Sequence, residues 1–305
     1  MKNKPKIGIV GIGMVGAPLA RYFSEIMNYQ KGKDLFLFDI DTKKKYTDDI
    51  NKADIIFIAV PTPKSPDGSA DIGAVQSAFQ GIKGSRVVVI KSTVPPGTTE
   101  YFQKKYSKHK VLFNPEFLTE RHAWDDFIKP DRQIVGFTAK SIDASYTVLS
   151  LLPKAPFMSP WGINTYKSTK ITATEAEIIK YAGNVYFSRK VNFANIVANL
   201  AEKLGTDYES VRQGIAADFR IGDSHLDVKH GGYRGFGGYC LPKDLDAFIA
   251  TLQKNELNEE FNFLLADRGF NEKLLASQGL NLRDVSVHDQ EWIKKKLRVS
   301  KNKND

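Results

Sequence analysis

The feature that most constrains this 305-residue chain is a glycine pattern near its start, Gly11-Ile12-Gly13-Met14-Val15-Gly16. It follows the apolar run Ile7-Gly8-Ile9-Val10 and opens a helical pattern over 17–27. In this spacing the first glycine permits a tight turn. The second lets the backbone approach a pyrophosphate, and the third lets the helix pack closely on the sheet. The phosphate would sit on a helix N-terminus, where free N–H groups and the dipole favour an anion. A second strand-like run ends at Asp39. An acid there holds a ribose 2′-hydroxyl and repels a 2′-phosphate, which selects NAD over NADP. The alternative is a glycine turn with no ligand.

The apolar runs that follow are short, and most are rich in β-branched or aromatic residues. They predict strands over 6–10, 34–39, 54–60, 86–91, 110–114 and 132–137. Nearly continuous apolar character marks parallel strands covered on both faces. Helical patterns between several of them, such as 17–27 and 72–83, give a doubly wound α/β sheet of Rossmann type. The pattern changes near Ser168. A proline-free helical stretch over 174–204 follows, with Thr172-x-x-Glu175 and Thr174-x-x-Glu177 as candidate capping boxes and Gly205 as its stop. It predicts a long central helix joining two domains. Beyond it lie shorter helices, among them 245–252 and 259–275, and a glycine-rich loop over 231–238. The expected organisation is a cofactor domain over 1–170, a central helix with a smaller, mainly helical substrate and dimerisation domain over 171–277, and a basic tail over 278–305.

Charge and cysteine count narrow the function. The net charge is +9, and 292–305 alone holds six basic residues and one acid. That tail reads as a frayed, solvated terminus or as an arm for an anionic surface. The body shows no helix-turn-helix, zinc or RNA-binding signature, so nucleic acid is not the expected partner. A single cysteine, Cys240, excludes an intrachain disulfide and cysteine-cluster zinc sites, and the five histidines lack ligand spacing. No metal is expected. No apolar run approaches a membrane span and no signal-peptide core follows the N-terminus, so the expected location is cytoplasmic.

Polar groups fall just past the strand ends, at Pro61-Thr62-Pro63, Ser92-Thr93 and Asn114-Pro115-Glu116, where open α/β sheets bind ligands. Asn114 and Pro115 read as a helix N-cap and first position, which would put Glu116 and Glu120 on one helix face. Both acids also suit a helix start with no further role. Lys180 and Asn184 share a face of the long helix, with Ile178, Ile179, Ala182 and Val185 packing elsewhere; a solvated lysine fits equally. Cys240, after Gly237-Gly238-Tyr239 and before Lys243 and Asp244, is either a small buried hydrophobe or an exposed thiol of lowered pKa, equipped as a nucleophile.

Taken together, these motifs resemble the UDP-glucose/GDP-mannose dehydrogenase family. The stretches that carry the resemblance are Gly11–Gly16 with Asp39, Ala53 to Pro63, Lys91-Ser92-Thr93-Val94-Pro95-Pro96-Gly97, Asn114 to Glu120, Glu175-Ala176-Glu177 with Lys180 and Asn184, Arg220-Ile221-Gly222, and Gly235-Phe236-Gly237-Gly238-Tyr239-Cys240-Leu241-Pro242-Lys243-Asp244. The resemblance implies NAD-dependent four-electron oxidation of a nucleotide-sugar C6 alcohol to the carboxylate, through a cysteine thiohemiacetal and thioester. UDP-glucose is the expected substrate, with GDP-mannose and UDP-N-acetylhexosamines as alternatives. It makes Cys240 the nucleophile and gives Lys180 the oxyanion, with Asn184 beside it. Glu116 becomes the acid/base, while Thr93 and Asp244 position water. It assigns Gly11, Gly13, Met14, Val15, Gly16, Asp39, Lys44, Thr62, Thr93, Glu120 and Lys243 to the cofactor. The substrate would meet Glu116, Phe117, Leu118, Glu120, Lys180, Asn184, Tyr233, Phe236, Gly237 and Gly238. Arg220 would reach a partner subunit's substrate, which implies a homodimer.

The sequence departs from the family pattern in three places. It reads as a short form lacking most of a C-terminal nucleotide-binding domain. The stretch between Asp39 and Asp54 is short, and that between Arg220 and Cys240 is long. A non-catalytic nucleotide-binding module is the competing class, and the reactivity of Cys240 separates the two.

Overall fold

The computed structural model describes residues 4–119, 122–160 and 170–286; Glu120 and the basic residues over 292–305 lie outside the described residues. The chain forms two compact units, Met1–Pro63 with Ala70–Lys180, and Lys64–Ser69 with Tyr181–Asp305.

The first unit is built on strands β1 (Ile7–Val10), β2 (Leu35–Phe38), β3 (Ile55–Ile58), β4 (Val87–Ile90) and β5 (Lys110–Phe113). With them come helices α1 (Gly16–Arg21, continued by a π-helical turn over Tyr22–Ile26), α2 (Gly73–Gly81), α3 (Thr98–Lys105), α4 (Ala123–Ile128) and α5 (Ile142–Leu151). Three short strands, β6 (Arg132–Ile134), β7 (Gly136–Phe137) and β8 (Phe157–Ser159), complete it. The main sheet runs β2-β1-β3-β4-β5-β7, parallel except for β7. Alternate residues of each strand feed two cores. Ile55 and Phe57 join one with Ile9, Leu19, Phe23 and Val148. Ile56 and Ile58 join the other with Val75, Phe79, Phe102 and Ala176. This is why the strands are apolar throughout rather than alternating.

Two expectations are corrected. The single strand over 132–137 is two strands in different sheets, β6 beside β8 and β7 beside β5. The break falls where Gly136 meets the start of the long helix: a Cβ there would stand 2.7 Å from Ala176 Cβ and 2.8 Å from the Thr172 carbonyl oxygen. Residues 114–119 form no helix. Asn114 is drawn inward by non-local hydrogen bonds instead of capping.

Helix α6 (Ala173–Lys203) has 31 residues, about 46 Å at the standard rise. The capping box is Thr172 with Glu175, since Glu175 Oε2 accepts from Thr172 N at 2.6 Å and Oγ1 at 2.8 Å. Gly205, at φ +69°, follows its end. The unit boundary falls inside α6, after Lys180. The second unit adds α7 (Tyr208–Ala216), α8 (Cys240–Lys254), α9 (Asn258–Ala276) and α10 (Leu282–Val285). Val185 and Val191 of α6 pack with Leu245, Ile249 and Leu252 of α8 and Leu264 of α9 in its core. Ile178 and Ala182, expected to pack, are exposed.

Candidate active site

Each glycine of the first loop has a separate reason. Gly11 takes φ +88°, and a Cβ on it would stand 2.6 Å from the Ala59 carbonyl oxygen. A Cβ on Gly16 would stand 1.9 Å from the Gly11 carbonyl oxygen, so the helix can start there only without a side chain. A Cβ on Gly13 would meet nothing within 4 Å, so its backbone faces open space. Met14 is exposed beside it and Val15 half-buried. Asp39 ends the second strand run, and its Oδ2 accepts from Ile12 N at 2.7 Å and from Lys44 Nζ at 2.8 Å. Its Oδ1 accepts from Asp41 N at 2.9 Å. Lys44 also donates to the Ile12 carbonyl at 3.1 Å, tying the acid to the glycine loop. Burial alone would raise the Asp39 pKa, but the bonds from Lys44, Asp41 and Ile12 and the Lys44 charge outweigh it and hold the carboxyl low. An open glycine backbone beside an ionised, fixed acid fits a dinucleotide, so these residues would hold NAD.

At the C-terminal strand edge, loops are pinned from below. Thr62 Oγ1 donates to the Thr93 carbonyl at 2.7 Å, and Ser92 Oγ donates to the Val60 carbonyl at 2.7 Å. Asn114 is fully buried. Its Nδ2 donates to Gln133 Oε1 at 2.9 Å and to the Ile134 carbonyl at 2.7 Å, while its Oδ1 accepts from Lys91 Nζ at 2.8 Å. Glu116 follows, with Oε1 accepting from Phe117 N at 2.9 Å and Oε2 lying 3.0 Å from Lys91 Nζ. The Phe117 ring carries the Arg132 guanidinium at 3.9 Å and has Lys180 Nζ at 5.7 Å. Leu118 packs against the core.

Helix α6 positions two of the expected groups one turn apart, buried Lys180 and half-buried Asn184. Between the capping box and Lys180 sits Glu177, with no exposed surface. Its carboxyl accepts from Gly97 N at 2.6 Å, Thr99 N at 2.8 Å and Thr99 Oγ1 at 2.6 Å. Glu177 thereby ties the helix that carries Lys180 to the end of the loop that carries Thr93.

In the second unit Cys240 is the first residue of α8 and half-buried. No side chain caps that helix start. The dipole at a helix start favours negative charge on a residue placed there. One turn on, Asp244 is buried between two donors, Asn184 Nδ2 at 2.5 Å and Lys243 Nζ at 2.5 Å. Lys243, expected at the cofactor, is itself buried with its ammonium on Asp244.

The glycine-rich loop over 231–238 is bolted to its own unit. Arg234 N donates to Gln278 Oε1 at 2.8 Å, and Gln278 Nε2 returns a bond to the Arg234 carbonyl at 2.9 Å. Asn271 bonds both N and O of Phe236, and Gly238 N donates to the Val285 carbonyl at 2.8 Å. Phe236 and Gly237 are both packed within this unit. The Phe236 ring lies in the core, and a Cβ on Gly237 would stand 2.7 Å from Val285. Tyr233 packs beside Leu275 and Val285, and burial pushes its phenol up to about 12. Gly238 faces open space at φ +72°. Arg220 is exposed, paired with its neighbour Asp218.

The expected catalytic residues thus divide, with Thr93, Glu116 and Lys180 in the first unit and Asn184, Cys240 and Asp244 in the second. Glu120 lies outside the described residues. Sequence reasoning read Glu177 only as a candidate cap of the long helix and in the family motif, and did not pair Lys91 with Glu116 and Asn114. The available signal was a lysine closing an otherwise apolar strand.

A doubly wound parallel sheet with a glycine phosphate loop, joined through a long helix to a helical unit bearing a cysteine at a helix start, defines a dinucleotide-dependent dehydrogenase architecture. Residues 40–149 match the NAD binding domain of the UDP-glucose/GDP-mannose dehydrogenase family, and residues 174–273 match that family's central domain. The UDP-glucose 6-dehydrogenase of Pseudomonas aeruginosa is 30% identical over 90% of this chain and 67% of its own length. The UDP-glucose 6-dehydrogenase TuaD of Bacillus subtilis is 35% identical over 80% of this chain and 58% of its own. Among solved structures, a UDP-glucose dehydrogenase from Pyrobaculum islandicum superposes with a TM-score of 0.74 at 30% identity, covering 90% of this chain and 69% of that one. The chain belongs to the UDP-glucose/GDP-mannose dehydrogenase family. It spans about half to two thirds of the length of the curated relatives it matches.

Proposed function

We propose that this chain oxidises the C6 alcohol of a nucleotide sugar to the carboxylate, with UDP-glucose as substrate and Cys240 as covalent carrier. The observation that carries the reading is the second unit's cluster: a cysteine opening α8, and one turn on an aspartate held by Asn184 and Lys243. UDP-glucose is favoured by the names of the relatives at 30% identity and above.

NAD, when bound on the Gly11–Gly16 loop, supplies the hydride acceptor, two per sugar. Cys240 Sγ adds to the C6 aldehyde and carries the sugar as a thiohemiacetal and then as a thioester. Lys180, as a fixed cation, stabilises the oxygen charge that develops at C6; one well-placed donor of this kind contributes about 100- to 1,000-fold in rate. Glu116 takes the proton of the water that cleaves the thioester, and Asp244 orients that water. Cys240 then leaves as the thiolate. Each sugar loses two hydrides and gains one water oxygen.

The partner we infer is a second copy of the chain. Tyr186, Phe193, Ile196 and Leu200 form one exposed apolar stripe along α6, and exposed Leu204 follows just past its end. Exposed Phe219, Arg220 and Ile221 provide the segment that would reach across.

The test is NADH formation with NAD and UDP-glucose, beside GDP-mannose and a UDP-N-acetylhexosamine, with Cys240→Ser in parallel. Two NADH per sugar, abolished in Cys240→Ser, is the expected result. NAD binding without turnover on any of the three sugars would leave a binding module instead.

A further inference from the structure

One buried charge takes no part in the chemistry above. Lys91 stands where β4 ends, and its side chain is 2% exposed. Its ammonium touches Asn114 Oδ1 at 2.8 Å and Glu116 Oε2 at 3.0 Å, with the Phe127 ring 5.9 Å away. Asn114 cannot swing aside, because both protons of its amide are engaged by Gln133 and Ile134. The ammonium is therefore fixed. A buried ion pair is costly to desolvate, and an apolar pair of similar volume is often no less stable. Stability alone therefore gives little reason for a cation at this strand end.

The carboxylate supplies the reason. Glu116 Oε1 is committed to Phe117 N, but Oε2 is buried and accepts no hydrogen bond from any described residue. Lys91 gives Oε2 a countercharge at contact distance. Such an oxygen is held in one place by its countercharge. A buried acceptor left open in this way calls for an explanation, and a catalytic role is one.

We propose that Lys91 is a positioning residue for Glu116: its ammonium, fixed by Asn114, holds in place the carboxylate that takes the proton of the water hydrolysing the thioester. This rests on the function proposed above. In the step, the water oxygen bonds to the thioester carbon, and a water proton passes to Glu116 Oε2. The carbon–sulfur bond then breaks, leaving Cys240 as thiolate. Nothing is oxidised or reduced, and no further reactant enters.

The experiment compares wild type, Lys91→Met, Glu116→Gln and the double variant with NAD and UDP-glucose. In Lys91→Met, steady-state NADH formation should fall about 100-fold, the size of a general acid–base contribution. The first-turnover burst should persist, the sugar should remain on Cys240 as acyl-enzyme seen by intact mass, and KM for NAD should be unchanged. The double variant should match Glu116→Gln, because Lys91 acts only through Glu116. Lys91→Met with wild-type turnover, or with its burst lost alongside a raised KM, overturns the assignment. So does a double variant whose losses multiply. If Lys91→Met fails to fold because it strands a buried carboxylate, the double variant, which carries no charge there, decides by comparison with Glu116→Gln. A wild type inactive on all three sugars overturns the proposed function, and this inference with it.

Discussion

Glu177 shows what one side chain is asked to do at the join of two loops' worth of chemistry. It lies wholly inside the protein and accepts three hydrogen bonds, yet its pKa is raised to about 7. Burial raises it; the bonds from Thr99 and Gly97 oppose this, and Glu100 adds to it. Below the unfolded value of 4.5 both states hold the proton, so the folded state carries no penalty. Between that value and about 7 the unfolded chain releases a proton the folded chain keeps, so stability falls as pH rises. Above it the penalty is constant, on the order of 3 kcal/mol. Urea unfolding from pH 4.5 to 8 should therefore show this downward slope in wild type and a flatter one in Glu177→Gln; parallel slopes would remove the argument. Asp39 behaves oppositely. Its folded pKa is lowered, so its contribution is present above the usual carboxylate range and lost as pH falls through the folded value. Asp39→Ala leaves Ile12 N without its acceptor and Lys44 without its countercharge. NADH binding, followed by fluorescence titration, should weaken at least about tenfold, the worth of one charge-assisted hydrogen bond.

At the scale of elements, legibility followed the range of the forces involved. The strands of the main sheet could be read because both faces of each are buried, which writes a local signature. The long helix could be read because its stop, Gly205, and its capping pair, Thr172 and Glu175, are neighbours in sequence. Asn114 could not. Asn-Pro is a local helix-start signal, but Lys91 and Gln133, each about 20 residues distant, take its side chain instead. The division of β6 from β7 is also non-local, set by the approach of Ala176 to Gly136. In the glycine-rich loop, Gly235 and Gly237 leave room for Asn271 and Val285, partners the sequence does not point to. That loop yields an element-scale prediction. Asn271 is fully buried and satisfies both backbone groups of Phe236. Asn271→Ala leaves a buried N–H and C=O without partners, at about 1–3 kcal/mol each. Thermal unfolding should shift down, and limited proteolysis should cut earliest within 231–239. Unchanged cleavage there would mean that Arg234 and Gln278 hold the loop by themselves.

For the whole molecule the decisive feature is what α6 leaves uncovered. Tyr186, Phe193, Ile196 and Leu200 recur at spacings of seven, three and four residues, one helix face, with Leu204 four residues on past the helix end, and the five are 51–70% exposed. Monomeric soluble proteins rarely present a contiguous apolar stripe of this kind to water. A two-fold interface is self-complementary, so one stripe serves both copies. If a second copy covers it, a charge in the middle of the stripe must oppose assembly, because an unpaired buried carboxylate is far more costly than an exposed one. Leu200→Glu should sediment as a monomer at concentrations where wild type is a dimer, with its fold intact by circular dichroism. Its turnover should fall along with that of Arg220→Ala, which removes the arginine proposed to reach across but leaves the stripe alone and should remain a dimer. The two variants separate assembly from the reach of Arg220. A Leu200→Glu monomer with full turnover would show that each chain completes its own site, and a wild type that sediments as a monomer would leave the stripe for a different partner.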